Sequence, residues 1–241
     1  MGNTIESAIF RVPTSKYRKT MKYLTFLNRK ELSYSYNIPV THLHINDDYP
    51  TLLICHGIGE NLGYYDLDKM TNQYNCNICI FDYAGYGLHT CKYPSESECR
   101  KDVMTVYNYL INNKNIEPEK IVIYGRSLGT VVACYLAYHI RNDTQQPKKL
   151  ILVSPLSSAY KVVTNIWLPG DLLINYTVAP DIKCSTLILH GCHDTVIPHS
   201  CGQELSTKFP NLYKFHTLHG RGHNNIFTTE YYTVINEFLE S

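Results

Sequence analysis

An α/β fold, with a mostly parallel central sheet flanked by helices, is predicted by three features of the sequence. From residue 51 onward, short apolar runs of strand length alternate with helical patterns, as in strand–helix–strand units. The stretch Ile121-Val-Ile-Tyr-Gly-Arg-Ser-Leu-Gly-Thr130 passes from a β-branched run through Gly-Arg-Ser-Leu-Gly, a G-x-S-x-G, into an apolar run long enough for a buried helix. Ser127, Asp194 and His223 each follow directly on an expected strand. In such sheets the functional loops lie beyond the strands' carboxyl ends.

The 241 residues suffice for one domain with a full core. The 22 Lys and Arg balance 21 Asp and Glu, giving a formal net charge of +1, so nothing suggests a nucleic-acid surface. No apolar run approaches a membrane span, and the N-terminus lacks the charged-then-apolar pattern of a signal peptide. The nine cysteines, an odd number, are therefore expected to be reduced thiols of a cytoplasmic protein. The Asn-x-Thr sequons at Asn142 and Asn175 are then expected to be unused. No linker, charge run or repeat divides the chain. Residues 21–241 are read as one domain, preceded by a polar extension over residues 1–20.

Met21 to Leu27 and Leu32 to Tyr36 read as two short strands around a turn at Asn28-Arg29, with Val40 to Ile45 as a third. Thr51 to Cys55 is an apolar strand running into His56-Gly-Ile-Gly-Glu-Asn-Leu-Gly63. Gly57, Gly59 and Gly63 miss the dinucleotide spacing G-x-G-x-x-G by one residue, so no nucleotide cofactor is expected. The turn is read instead as one whose backbone N–H groups face an oxyanion. Ile78 to Phe81 is the next strand and ends in Asp82-Tyr-Ala-Gly-Tyr-Gly87. Ser95 and Glu98 have capping-box spacing, and Val103, Val106, Tyr107, Leu110 and Ile111 form one helical stripe.

After the elbow unit, Lys149 to Val153 is a strand. Ser154 to Lys183 has no clear period and carries Pro155, Pro169, Gly170 and Pro180. It is too long for a simple connection, which predicts a lid or binding insertion near residues 155–180. Ser185 to His190 is a strand ending in Gly191-Cys-His-Asp194, and a helix follows Pro198. Leu212 to Leu218 is the last strand, before His219-Gly-Arg-Gly-His223. Phe227, Tyr231, Val234, Ile235 and Phe238 mark the final helix.

The G-x-S-x-G alone is a weak signal. The order Ser127, Asp194, His223, each after its own strand, is much more specific. A serine hydroxyl is a weak nucleophile at neutral pH. An imidazole with an unperturbed pKa of about 6.5 can take its proton and return it to the leaving group. His223 fits that part, with His219 as the rival base. Asp194 would hold the tautomer and stabilise the imidazolium. The backbone N–H groups of Ile58 and Leu128 are the expected oxyanion donors. His190, Cys192, His193, His199 and Cys201 are all metal-ligand types, but their spacing matches no zinc pattern, so no metal is expected. Cys76-x-x-Cys79 lacks a second pair and reads as a helix end and a strand start.

His56-Gly57, Phe81-Asp-Tyr-Ala-Gly-Tyr-Gly87, Pro94-Ser-Glu96, Tyr124-Gly-Arg-Ser-Leu-Gly-Thr130, Ser154-Pro-Leu156, His190-Gly-x-x-Asp194 with Val196-Ile197, and Gly222-His223-Asn224 together resemble the serine hydrolases of the α/β-hydrolase domain-containing family 17. The resemblance covers nearly the whole chain, including Ala8-Ile-Phe-Arg-Val-Pro13. The elbow and the acid turn are shared with many hydrolases, whereas the Asp-Tyr-x-Gly-Tyr-Gly loop and the Gly-His-Asn end are more particular to this group. The resemblance implies the α/β-hydrolase fold and acyl-protein thioesterase activity, the removal of palmitate from cysteines of membrane-anchored proteins, without a cofactor. Two positions depart from the group's pattern. Animal members carry an N-terminal cysteine cluster, whereas the first cysteine here is Cys55 and the chain begins Met-Gly-Asn, as plant relatives do. Ile58 stands where the group usually has Asn; a backbone donor survives that change.

Two other functions use the same parts. An esterase or lipase for small or lipid oxyesters needs the same triad. A hydrolase fold kept as a binding module without turnover would be marked by a lost triad member, and none is lost. Leu156 and Trp167, in the apolar segment 155–180, are expected to line the acyl site; ordinary packing under a lid helix is the alternative. The Met1-Gly-Asn start fits N-myristoylation at Gly2, although Glu6 stands where the motif wants Ser or Thr. With Arg11, Lys16, Arg18, Lys19 and Lys22, it leads to the expectation of peripheral membrane contact by a monomeric protein.

Overall fold

The computed structural model describes residues 10–13, 17–142, 146–164 and 171–241. Eight strands form one sheet: β1 (Leu24–Lys30), β2 (Ser35–Leu43), β3 (Thr51–Cys55), β4 (Asn77–Phe81), β5 (Ile121–Arg126), β6 (Lys149–Val153), β7 (Ser185–Gly191) and β8 (Leu212–Leu218). Their order is β1-β2-β4-β3-β5-β6-β7-β8. The pairings β1–β2 and β2–β4 are antiparallel and all others are parallel. The α-helices among the described residues are α1 (Leu67–Tyr74), α2 (Glu96–Asn112), α3 (Gly129–His139), α4 (Ala159–Thr164), α5 (His199–Ser206) and α6 (Thr229–Glu240).

Strand alternation divides the core in two. Leu53 and Cys55 of β3 pack with α2, α3 and α5 on one face, and Leu52 and Ile54 pack with α1 and α6 on the other. Because both faces are covered, β3 and β4 are buried at every position and read as unbroken apolar runs. The chain steps from β3 outward to β4, then returns across β3 to β5. This reversal opens a crevice at the carboxyl ends of β3 and β5, where ligand sites of such sheets lie.

The N-terminal edge differs from the expectation. The first hairpin turns at Glu31 to Tyr34, where Glu31 N–H donates to Tyr34 O at 2.8 Å, and not at Asn28-Arg29. Leu32–Tyr36 and Val40–Ile45 are not two strands, since β2 runs unbroken from Ser35 to Leu43. The cause is Arg29. Its side chain is buried against Glu98 and Asp102 of α2, which fixes Arg29 in the ladder opposite Tyr36. Of the expected capping box, one half forms: Ser95 Oγ accepts from Glu98 N–H at 3.1 Å, while the Glu98 carboxylate turns to Arg29 and Lys101. Phe227 also leaves its expected stripe. The final helix starts later, capped by Thr228, and Phe227 stays at the surface.

The described part of the segment before Met21 packs on the domain. Phe10 is buried in the core, and Tyr17 O–H donates to Asp82 at the end of β4. Asp82 is wholly buried and also accepts from Leu62 N–H at 2.9 Å. Burial pushes its carboxyl up to about 7, outweighing the two hydrogen bonds that favour the charge. An unfolded-chain Asp titrates near 3.9, so between about pH 4 and pH 7 the folded state holds a proton that the unfolded state has released. Stability attributable to Asp82 is therefore full below the unfolded value and falls as pH rises, by up to ~1.4 kcal/mol per pH unit. Asp82→Asn should remove that slope. Urea denaturation of both proteins between about pH 5 and pH 8 should show the wild type losing ground to the variant; parallel curves would refute it.

Candidate active site

The elbow is formed where β5 gives way to α3. Ser127 has φ +53°, in the left-handed region that costs a non-glycine residue roughly 1–2 kcal/mol. The surroundings hold it there. Ser127 N–H donates to Val153 O at 2.9 Å, and its carbonyl accepts from Thr130 N–H at 3.0 Å and Thr130 Oγ1 at 2.7 Å. The flanking glycines are needed for close approach. A Cβ on Gly129 would lie 1.9 Å from Cys55 O, and one on Gly125 would lie 2.6 Å from Gly129 O. Gly129 thus seats α3 directly on the end of β3. Register pairs Cys55 with Gly125, so the turn His56-Gly57-Ile58 emerges beside Ser127.

The other two residues arrive from β7 and β8. Asp194 lies three residues after Gly191, and His223 lies five after Leu218. The two loops are tied by His193 N–H donating to Arg221 O at 2.8 Å. Asp194 Oδ2 meets His223 Nδ1 at 2.7 Å, while Oδ1 accepts from the N–H groups of Val196 at 2.9 Å and Ile197 at 2.8 Å. Burial opposes the charge on Asp194, but hydrogen bonds from His190, His223 and the Ile197 backbone outweigh it and hold the carboxyl well below the usual carboxylate range. An ionised carboxylate facing Nδ1 favours the tautomer with its proton on Nδ1, which leaves Nε2 free to accept one. His219 is exposed on the turn after β8.

A cavity of about 660 Å³ is lined by Ile58, Ser127, Leu128, Leu156, Leu173 and His223, among others. Five of the sequence-predicted site residues thus share one space, with Asp194 behind His223. Trp167 lies outside the described residues. Ser127 and His223 line this cavity together, and contacts between a catalytic serine and its base often tighten only in the substrate complex. Leu128 precedes the first residue of α3, where the helix dipole favours negative charge.

The histidine and cysteine cluster takes structural positions. His190 Nε2 lies 3.0 Å from Ile197 O and 3.5 Å from Asp194 Oδ2, bracing the acid turn. His199 Nε2 meets Thr217 Oγ1 at 2.9 Å, and Cys192 Sγ accepts from Gly220 N–H at 3.2 Å. Among the described residues, no group of three or more such side chains is placed to hold a metal.

One feature was not foreseen. Arg126, the first of the two variable residues of the elbow motif, is buried and pairs with Glu60 of the turn after β3. Its Nη2 donates to His223 O at 3.0 Å and to Asn224 Oδ1 at 3.0 Å. The available signal was a lone cation inside a buried strand run and a lone carboxylate in a glycine turn.

The model of the family described as serine aminopeptidase S33 matches residues 48–169. The chain belongs to this hydrolase family. Its relatives include the α/β hydrolase domain-containing protein aho-3 of Caenorhabditis elegans, 34% identical over 182 residues, 73% of this chain and 53% of that protein. The α/β hydrolase domain-containing protein 17C of Homo sapiens is 31% identical over 183 residues, 73% of this chain and 53% of that protein. The resemblance to family 17 read from the motifs is borne out by these relatives, and the chain spans about half of their length. A crystal structure of an esterase from Rhodococcus superposes with TM-score 0.70 at 15% identity, over 91% of this chain and 99% of that one. At such low identity the match speaks for the fold alone, the α/β-hydrolase fold. At the crevice of that fold the elbow serine shares a cavity with a histidine that is backed by an aspartate.

Proposed function

We propose that this S33-family hydrolase is a serine hydrolase that cleaves fatty-acyl thioesters, with S-palmitoylated proteins as the substrate class. The observation that carries the reading is the shared cavity: Ser127, His223, Ile58 and Leu128 face one largely apolar space, with Asp194 held against His223. Ser127 Oγ attacks the acyl carbon while His223 Nε2 takes its proton. The resulting oxyanion receives hydrogen bonds from the N–H groups of Ile58 and Leu128, each typically worth roughly 3–4 kcal/mol of transition-state stabilisation. Collapse breaks the carbon–sulfur bond, and His223 protonates the departing thiolate. Water, deprotonated by His223, then attacks the acyl-serine, releasing the fatty acid and restoring Ser127. The aliphatic walls Leu156 and Leu173 suit a hydrocarbon chain.

The resemblance of the motifs to family 17 and the apolar walls support an acyl substrate, and on this reading the enzyme works at the cytoplasmic face of a membrane. Arg18 and Lys19 are exposed near the domain's start, consistent with peripheral contact at an anionic leaflet. No helix among the described residues is long and apolar enough to cross a membrane.

The test is a panel of acetyl, octanoyl and palmitoyl esters, each as thioester and oxyester. Palmitoyl thioesters should give the highest kcat/KM. Leu156→Ala should raise KM for the palmitoyl substrate about tenfold, the equivalent of ~1.4 kcal/mol of lost apolar contact, and leave the acetyl substrate nearly unchanged. Preference for oxyesters would make the protein an esterase or lipase. Equal effects of Leu156→Ala on both chain lengths would remove the acyl-site assignment.

A further inference from the structure

Arg126, which is buried, and Glu60, which is half-buried, form an ion pair at the junction of three loops. Arg126 belongs to the elbow, one residue before Ser127. Its guanidinium holds the carbonyl of His223 and the side chain of Asn224. Glu60 uses its second oxygen, Oε2, to accept from Gly57 N–H at 3.0 Å and from Tyr65 O–H. Gly57 immediately precedes Ile58. A single pair of side chains therefore fastens the elbow, the oxyanion turn and the histidine loop to one another. The Phe227 ring covers the guanidinium, 5.3 Å from Arg126 Cζ.

This pairing is more than packing needs. Burying the Arg126 guanidinium and part of its carboxylate partner is costly, and well-packed apolar side chains would often be as stable. The planar, forked guanidinium supplies what an apolar pair or a lysine lacks, namely several fixed donors aimed at separate partners. Each of its bonded partners adjoins a group that the proposed chemistry uses.

We infer that Arg126 and Glu60 are positioning residues, which set the distance across Ser127 between the Ile58 N–H and the imidazole of His223. The inference rests on the serine-hydrolase reading above. Neither residue touches the acyl group; they act through Gly57, His223 and Asn224. Misplacement of reacting groups by about 1 Å can cost 10²-fold in rate, so loosening this junction should appear in kcat rather than in KM.

The experiment compares wild type, Arg126→Ala, Arg126→Lys and the isosteric Glu60→Gln, with kcat and KM measured on one activated acyl ester. Folded fraction is followed by circular dichroism, and ethylguanidinium is added at low, non-denaturing concentration. The pair borders a second cavity of about 320 Å³, lined by Tyr65, Tyr124 and Phe227 among others, so a small guanidinium ion has a route to the space left by Arg126→Ala. Expected are losses in kcat of about 10- to 100-fold in all three variants, with KM within about twofold. Ethylguanidinium should restore part of the loss in Arg126→Ala and none in Glu60→Gln. If Arg126→Ala does not fold, Glu60→Gln decides by its kcat. A kcat unchanged per folded molecule overturns the inference and leaves the serine-hydrolase reading intact, because the wild type still turns over. A wild type without turnover overturns both.

Discussion

Asp194→Asn and His223→Ala are each expected to lower kcat by about 10⁴ while the chain stays folded. The reason differs between them. His223→Ala removes the imidazole that lines the cavity and is backed by Asp194, so Ser127 loses its proton acceptor and the leaving group loses its proton donor. Asp194→Asn keeps the shape. An amide oxygen can still accept from Val196 and Ile197 N–H, which now hold Asp194 Oδ1. The amide nitrogen then points at His223 Nδ1 as a donor and forces that atom to accept. The proton moves to Nε2, and the imidazole can no longer take one from serine. His219→Ala serves as the control and should retain turnover, since His219 is exposed on the turn after β8. Loss of turnover in His219→Ala, with His223→Ala still active, would reassign the base. The double variant of Asp194 and His223 should lose little more than either single one, because residues that act as one unit are not additive.

The parts of the fold legible in the sequence are those set by local chemistry and two-sided burial. The strands from Thr51 to Gly191 could be read because a sheet covered on both faces admits apolar runs at nearly every position, whereas the edge strand β8 is mostly half-buried or exposed. The elbow could be read because only glycine fits where α3 meets the carbonyl of Cys55. The half-formed capping box at Ser95 shows the limit of such rules. Its serine obeyed the local signal, but Glu98 was recruited by Arg29, a partner 69 residues away in the chain. The same long-range pairing moved the first hairpin turn from Asn28-Arg29 to Glu31–Tyr34. Nothing local announces that an arginine will turn inward, because its partners are fixed only once α2 packs on β1.

The candidate site divides in the same way. Ser127, Asp194 and His223 were legible because each follows a strand, and parallel strands bring their carboxyl ends to one edge. The Arg126–Glu60 pair was not, since its partners come from three loops with no common period. The bracing of Asp194 by His190 was also missed. In the sequence His190 looked like one of several metal-ligand types; in the fold it faces the acid turn through Ile197 O. The acyl wall was legible in outline only. Leu156 lines the cavity, whereas Trp167 lies outside the described residues.

The claim on which the rest depends is that Ser127 is a nucleophile activated in place. Reaction with a fluorophosphonate probe, followed by peptide mass spectrometry, measures this most directly. The probe phosphonylates an activated serine by displacing fluoride and needs neither a known acyl chain nor a known partner. The hydrogen bonds that hold the elbow run through Ser127 N–H and C=O, so Ser127→Ala removes the hydroxyl and leaves them in place; its melting curve should match the wild type closely. The account predicts one phosphonylated peptide, carrying the adduct on Ser127, in the wild type and no labelling of folded Ser127→Ala. Labelling that persists in Ser127→Ala, or a wild type that is folded and unreactive, would contradict it.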